Sequence, residues 1–485
     1  MRILNDILSH VSVIKIIGDS VVSINQIVFD SRFVVPQTLF IAQKGVHTDG
    51  HLYIDKAVEM GAIAVVCEVL PHEIPNNVTF IQVVDSNLAL SFIAANFYGN
   101  PSSKLKLIGI TGTNGKTTLA TLSHALFQKI GYHAGLISTV VIKIGKQEFP
   151  TTHTTPDALT LNKYLALMIE EGVSHCFMEV SSHGIHQKRT EALFFAGGVF
   201  TNLTHDHLDY HHSFAEYLKV KKSFFDHLPK TAFALSNIDD KNGTVMLQNT
   251  KATKKTYALK TLADYKAKVL ENKLEGLFLQ IDGTEVYTKL IGNFNAYNLL
   301  AIYAIARELG VEKLEVLTAV SELESVSGRF QYFISNEGIT TIIDYAHTPD
   351  ALLNVLQTIH KIRTGNENLY TIVGCGGDRD KLKRPKMADI ASQWSNTAIF
   401  TSDNPRTEDP QVIINEMLAG VSAENHRKTL SILDRKEAIK AAGKMVKKGD
   451  IVLIAGKGHE TYQEINGVKS DFDDLKIAKE IFNTP

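Results

Sequence analysis

The 485-residue chain has only three cysteines, one tryptophan and 12 prolines, and its charges nearly cancel. Cys67, Cys176 and Cys375 are far apart and form no Cys-x-x-Cys pair, which argues against a disulfide framework or a zinc site and favours a reducing, cytoplasmic setting. Fifty Lys and Arg against 52 Asp and Glu leave a formal charge of -2, so no overall positive field draws the chain to nucleic acid or an anionic membrane. Any phosphate binding has to be local. No run approaches the ~18 uninterrupted apolar residues of a membrane helix. Arg2, Asp6, His10 and Lys15 interrupt the first apolar segments before a secretory core can form, so the mature chain is expected to start here.

What is present is an ordinary globular composition, 44% hydrophobic and 21% charged, and its length predicts about three domains at roughly 150 residues each. Short apolar runs alternate with helical patterns, the mark of α/β architecture with mainly parallel sheets. The polar turn Asn100-Pro101-Ser102-Ser103 predicts one boundary, and the switch from a helical to a β-rich pattern near residues 325–328 predicts another. The domains expected are 1–102, 103–327 and 328–485.

The unusual residues fall just past the strand-like runs. Residues 105–110 lead into Gly112-Thr113-Asn114-Gly115-Lys116-Thr117-Thr118, 176–178 into Glu179, 199–200 into Thr201-Asn202, and 340–343 into Asp344. Likewise 370–373 precede Gly374-Cys375-Gly376-Gly377-Asp378-Arg379, 398–401 precede Asp403-Asn404-Pro405-Arg406, and 451–454 precede Gly456-Lys457-Gly458-His459-Glu460. Open parallel sheets hold ligands outside the carboxyl ends of their strands. Two such sets of residues predict an active site between two α/β domains.

The run from Gly112 to Thr118 reads as a phosphate loop for ATP: glycines let backbone N–H groups face oxygens, Lys116 reaches the outer phosphates, and Thr117 can ligate Mg²⁺. It is shorter than the usual pattern, and the plainer alternative is a tight turn between strand and helix. Thr204-His205-Asp206-His207-Leu208-Asp209-Tyr210-His211-His212 invites a zinc reading, but beside a phosphate loop the expected metal is Mg²⁺, which takes oxygens and few protein ligands. Most of these histidines are then structural or solvated.

From Phe214 to Leu228, a period of ~100° per residue puts Phe214, Tyr217, Leu218, Phe224, Phe225 and Leu228 on one apolar face with Lys221 at its centre. A lysine so placed must find a partner, lose its charge or snorkel out along its stem; periodicity alone favours snorkelling. The neutral amine could instead react with CO₂ to give a carbamate. Glu179 ends an apolar strand, where a carboxylate is costly unless it meets a metal or a donor, although an exposed strand-end glutamate is common. Asp403, Asn404 and Arg406 combine a carboxylate, an amide and a guanidinium, the kit for the ammonium and carboxylate of an amino acid. Arg379 and Glu460 add a second cation and anion, or are plain surface ion-pair residues.

TGTNGKTT, MEVSSH, TNLTHDHLDYH, SGRF, DYAHTPD, GCGGDRD and GKGHE occur in this order along nearly the whole chain, and together they resemble the Mur ligases, ATP-dependent amide-forming enzymes of peptidoglycan synthesis. In that family Asp-Asn-Pro-Arg marks the branch that adds meso-diaminopimelate, and it is intact at 403–406. The resemblance implies an N-terminal domain for the UDP end of the substrate, a central P-loop ATPase domain with a mainly parallel sheet, and a C-terminal Rossmann-like domain for the incoming amino acid. By the same resemblance Phe29, Ser31, Val46, His47 and Thr48 contact the uridine nucleotide, and His153, Thr154, Thr155, Ser181, Gln187 and Arg189 the muramoyl-dipeptide. Lys221 matches the family's carbamylated lysine, which reverses the preference for snorkelling. Lys116, Lys221, Glu179 and His207 become the catalytic set, and Thr117, Glu179, His207 and Lys221 surround Mg²⁺. Asn295, Asn298, Arg329 and Asp344, with the 112–118 loop, hold ATP. Arg379, Asp403, Asn404, Pro405, Arg406, Gly456 and Glu460 hold diaminopimelate.

The reaction implied is ligation of meso-diaminopimelate to the D-glutamate of UDP-N-acetylmuramoyl-L-alanyl-D-glutamate through an acyl phosphate, with closure of the C-terminal domain bringing the amine into reach. A cytoplasmic monomer serving cell-wall synthesis, and hence cell shape and division, is expected, with small-molecule partners and neither nucleic acid nor membrane. Two rivals remain: a folylpolyglutamate synthetase, which should lack the uridine domain and the 403–406 site, and a nucleotide-dependent switch or scaffold, which need not keep Lys116, Glu179, His207, Lys221 and Arg406.

Overall fold

The computed structural model describes residues 1–45, 48–151, 153–204, 208–211 and 213–483. The chain forms two compact units, the first from 1–112, 119–201 and 215–256, the second from 113–118, 202–214 and 257–485.

The first unit contains two sheets. One has the strand order Val13–Ile17, Thr79–Val83, Ala62–Cys67, Thr38–Ile41, Gln26–Val28, with only the first pair antiparallel. Asp85 caps the helix Ser86–Phe97 by accepting from the Leu88 N–H at 2.9 Å, and Leu90 and Ile93 of that helix pack on Leu39 and Ile81 of the sheet. The 3₁₀ turn Pro101–Lys104 follows. The other sheet places the parallel strands Ala134–Ile137, His175–Glu179, Lys106–Thr111, Gly197–Phe200 and Phe233–Asn237 side by side. The register pairs Glu179 with Ile110 and Phe200 with Thr111, so these strands end together. The helix Phe214–Asp226 lies close on this sheet because two strand positions are glycine: a Cβ at Gly109 would stand 2.6 Å from the Phe224 ring, and one at Gly198 3.0 Å.

The second unit carries the antiparallel strands Tyr265–Lys273, Gly276–Ile281 and Thr284–Thr288 beside the helix Asn293–Glu308. Its main sheet runs Gln331–Ile334, Thr340–Asp344, Ile451–Ala455, Leu369–Val373, Thr397–Phe400, Thr429–Ser431, parallel except for the first pair. The helices Pro349–Ile362, Lys383–Trp394 and Pro410–Leu418 pack on one face, and Arg435–Met445 and Asp474–Phe482 on the other. This is a doubly wound sheet, as expected of a Rossmann-like fold. Under its second face Arg435 and Asp474 form a fully buried ion pair at 2.7 Å.

The strand ends agree with the sequence reading to within a residue or two, so the polar motifs do follow the carboxyl ends of parallel strands.

Candidate active site

In the first unit, Glu179 ends its strand 0% exposed. Its Oε1 accepts from the Thr139 N–H at 2.7 Å and its Oε2 from the Thr139 hydroxyl at 3.2 Å, both neutral donors. The exposed-glutamate alternative therefore fails. The Thr139 hydroxyl also meets Thr154 Oγ1 at 3.0 Å. The Thr155 hydroxyl donates to the Glu179 carbonyl at 2.8 Å and accepts from the Ser181 N–H at 2.9 Å. Ser181 caps the short helix Ser182–His186, accepting from Gly184 N–H at 3.0 Å. Arg189 donates to the Thr155 carbonyl at 2.6 Å and to Gln187 Oε1 at 2.6 and 3.1 Å. Thus Thr154, Thr155, Ser181, Gln187 and Arg189, which the family resemblance grouped together, form one hydrogen-bonded cluster around Glu179, with exposed His153 next to Thr154 in sequence.

Lys221 is 1% exposed. Its Nζ donates to the Gly112 carbonyl at 2.9 Å and approaches Thr111 Oγ1 at 3.4 Å, with the Tyr217 ring centroid 4.9 Å away. Snorkelling is overturned. Periodicity identified the face correctly, but the helix lies too close to the strands for a four-carbon stem to reach water.

Phe29 and Ser31 follow the strand Gln26–Val28, and Thr48 lies in the loop after Thr38–Ile41, so all three stand beyond the carboxyl ends of neighbouring parallel strands. Ser31 is buried and opens a 3₁₀ turn capped by Asp30. Val46, His47 and His207 lie outside the described residues. Of the histidines at 205–212, His211 is described and is buried.

The phosphate loop belongs to the second unit from Thr113 onward. Gly112 and Gly115 have φ of 148° and 87°, which side chains resist, and the helix Lys116–Lys129 starts directly behind them. Asn202 pins the loop: its carbonyl accepts from Thr113 N–H at 2.8 Å, its Oδ1 from Asn114 N–H at 3.0 Å, and its Nδ2 donates to the Asn114 carbonyl at 3.0 Å. Lys116 Nζ donates to the Thr113 carbonyl at 2.8 Å. Buried Thr117 accepts from the Arg329 guanidinium at 3.2 Å.

Arg329 lies 4.5 Å over the Tyr345 ring. The Asp344 carboxylate accepts from Phe330 N–H at 2.6 Å and Ala346 N–H at 2.7 Å, tying the turn that bears Arg329 to the strand Thr340–Asp344. Burial pushes Asp344 up to about 6, against the opposing pull of Arg329 and those two N–H groups. His459 also packs against Tyr345, ring centroids 4.9 Å apart, and burial and then the Arg329 charge bring it down to about 4. Asn295 and Asn298 are buried in their helix, Asn298 Nδ2 donating to Asn295 Oδ1 at 3.1 Å.

Beyond the strand Thr397–Phe400, Asp403, Asn404 and Pro405 are buried. Asn404 Nδ2 donates to Glu460 Oε2 at 2.8 Å. A Cβ on Gly456 would meet Asp403 Oδ2 at 2.6 Å, so glycine is what lets these two loops approach. Arg406 has φ +52° and donates to the Gly377 carbonyl at 2.7 Å. Gly377 is held against the Pro405 carbonyl, which a Cβ would meet at 1.9 Å. Arg379 is exposed and donates to the Asp378 carbonyl at 3.2 Å. Desolvation and Asp403 raise the Glu460 carboxyl, while Lys457 and Asn404 oppose the shift.

Sequence reasoning assigned no role to Thr139, Asn202 or Lys457. Asn202 and Lys457 lie inside quoted motifs, whereas Thr139 carries no local signal at all. Among the described residues no group of three His, Cys, Asp or Glu side chains gathers as for a transition metal. Each unit offers an oxygen of the kind Mg²⁺ takes: in the first, the buried Glu179 carboxylate, which among the described residues receives only neutral donors, and in the second, the buried Thr117 hydroxyl. No helix among the described residues is long and apolar enough to cross a membrane.

Residues 110–306 match the Mur ligase middle domain, 328–458 the Mur ligase glutamate ligase domain, and 23–98 the Mur ligase family catalytic domain. The UDP-N-acetylmuramoyl-L-alanyl-D-glutamate–2,6-diaminopimelate ligase of Phocaeicola vulgatus is 55% identical over 479 residues, 99% of both chains. The ligase of the same name from Cytophaga hutchinsonii is 55% identical over 482 residues, again 99% of both. A solved structure of a ligase with that name superposes at a TM-score of 0.69 with 33% identity, covering 97% of each chain. With three family segments in order and full-length relatives at this identity, the chain belongs to the Mur ligase family of ATP-dependent ligases.

Proposed function

We propose that this chain joins meso-diaminopimelate to the D-glutamate of UDP-N-acetylmuramoyl-L-alanyl-D-glutamate, spending ATP, in cytoplasmic cell-wall precursor synthesis. The observation that carries the reading is the fixed cluster of Asp403, Asn404, Arg406 and Glu460 beyond the sheet's carboxyl edge, in a chain that keeps the phosphate loop and buried Glu179. Relatives named for this activity align over 99% of the chain. The match at 23–98 speaks against a folylpolyglutamate synthetase, which was expected to lack the N-terminal domain. The division into 1–102, 103–327 and 328–485 is supported by the three matched segments, each of which falls inside one of these domains.

An amine cannot displace oxide from a carboxylate at neutral pH. The γ-phosphoryl group of ATP is therefore transferred to the free carboxylate of D-glutamate, ADP leaves, and the acyl carbon now carries a good leaving group. Lys116 and the N–H groups of the 112–118 loop orient the phosphates, with Arg329 beside Thr117 adding a cation. Mg²⁺, bound through Thr117, Glu179, His207 and carbamylated Lys221, would neutralise charge on the transferring phosphoryl group. Thr154, Thr155, Ser181, Gln187 and Arg189, with His153, hold the peptide end; Phe29, Ser31, Val46, His47 and Thr48 hold the uridine end. The amine of diaminopimelate attacks the acyl carbon, the C–O bond to phosphate breaks, and phosphate departs with one of the original carboxylate oxygens. Asn295, Asn298 and Asp344 shape the nucleotide site, and Pro405 and Gly456 set the backbone of the amino-acid site. Arg379 and Arg406 read the far carboxylate. Lysine lacks that carboxylate and leaves guanidinium groups unpaired, which is the basis of discrimination.

The working protein is a monomer that needs only small molecules. The acyl phosphate is tested by placing heavy oxygen in the D-glutamate carboxylate: one labelled oxygen should appear in the released phosphate, and unlabelled phosphate would exclude the intermediate.

A further inference from the structure

Lys457 is 0% exposed, an unusual place for an ammonium, and the amino-acid reading above gives it no role. Its Nζ donates to Asn404 Oδ1 at 3.0 Å and Glu460 Oε2 at 3.2 Å, and the Tyr462 ring centroid lies 5.5 Å away, within cation–π range. Asn404 Oδ1 also accepts from the Glu464 N–H at 3.0 Å, while its Nδ2 donates to Glu460 Oε2 at 2.8 Å. Flipping the amide would turn its NH₂ toward the ammonium and the backbone donor, so only one orientation is allowed. Glu460 Oε2 thus receives two donors and Oε1 receives none among the described residues. Asp403 is similar: Oδ1 accepts from the Asn404 N–H at 2.7 Å and Oδ2 accepts no hydrogen bond among the described residues. Two carboxylates and one ammonium sum to a single negative charge, which matches one incoming ammonium group.

We propose that Lys457 is a positioning residue for the incoming amino acid, locking Asn404 and Glu460 into one arrangement and balancing one of the two carboxylate charges so that Glu460 and Asp403 receive the substrate's ammonium. The inference rests on the amino-acid reading of this cluster. A lysine that served only the core could be replaced by an apolar side chain of similar volume at little cost to function. A lysine that orients the amide and carboxylate could not, because its loss leaves Asn404 Oδ1 short of a donor and sets two uncompensated carboxylates together.

The test is steady-state kinetics of the full chain carrying Lys457→Met, Lys457→Gln, Glu460→Gln, or Lys457→Met with Glu460→Gln. Both Lys457 variants should raise the KM for meso-diaminopimelate roughly tenfold to a hundredfold while KM for ATP and for the UDP-muramoyl-dipeptide stays within about twofold. In the Glu460→Gln background the Lys457→Met step should cost far less, because the charge it balanced is gone. A diaminopimelate KM unchanged in either variant, a similar loss toward all three substrates, or full additivity with Glu460→Gln overturns the proposal. If the unaltered chain turns over with diaminopimelate in those cases, only the role of Lys457 fails; if it does not use diaminopimelate at all, the amino-acid reading itself fails.

Discussion

The Arg329 guanidinium donates to the Thr117 hydroxyl at 3.2 Å while lying 4.5 Å over the Tyr345 ring, so a residue 212 positions away steadies the side chain at the end of the phosphate loop. Arg329→Ala should raise KM for ATP roughly tenfold to a hundredfold, the cost of a lost charged hydrogen bond. Arg329→Lys should recover little, because an ammonium cannot stack flat on tyrosine and reach the hydroxyl together. Initial-rate kinetics at varied ATP decides this; an unchanged KM in both variants would remove Arg329 from the nucleotide site.

Lys221 supplies the second expectation. Lys221→Ala should abolish turnover, and added formate or acetate should restore part of it if the working side chain is a carbamate. No rescue, together with an unmodified amine in a high-resolution map, would leave Lys221 as the buried donor to Gly112 and Thr111 seen here.

Asp344 should make an unusual contribution to stability. Its folded value of about 6 lies above the unfolded 3.8. The folded state therefore binds the proton more tightly, and the stability this gives is full below the unfolded value and lost as pH rises through 6. Denaturant unfolding of the chain and of Asp344→Asn should show the difference between them falling, against the parent, by about 2 kcal/mol from about pH 4 to about pH 7. A flat difference would show that Arg329 and the two backbone donors fully offset burial at this carboxyl.

Arg406 should govern the choice between diaminopimelate and lysine. Arg406→Asn suits the test because asparagine tolerates the positive φ of 52° at this position. The ratio of kcat/KM for diaminopimelate to that for lysine should fall by roughly a hundredfold, the worth of a charged hydrogen bond. An unchanged ratio would move the discrimination elsewhere, with Arg379 the next residue to replace.

Local pattern made much of this architecture legible. Alternating apolar runs and helical periods gave the strands 106–111, 340–344 and 451–455 nearly to the residue, because parallel strands buried on both faces are written as continuous apolar segments. The same periodicity put Lys221 on the inward face but could not say how deep that face lies; the close approach at Gly109 and Gly198 decided it. The Asn202 clamp on Asn114, Thr139 on Glu179 and Lys457 beneath Asn404 were not legible. Each joins positions tens of residues apart, and such contacts depend on register and loop approach rather than on any local repeat. The motif strings marked where chemistry gathers, and long-range hydrogen bonds fixed which atoms are engaged.

The most direct measurement is release of phosphate from ATP by the purified chain supplied with UDP-N-acetylmuramoyl-L-alanyl-D-glutamate, with and without meso-diaminopimelate. The account expects phosphate and the UDP-linked tripeptide in equal amounts only when both substrates are present, with lysine a poor substitute. Steady ATP hydrolysis without the amino acid, or equal turnover with lysine, would contradict it.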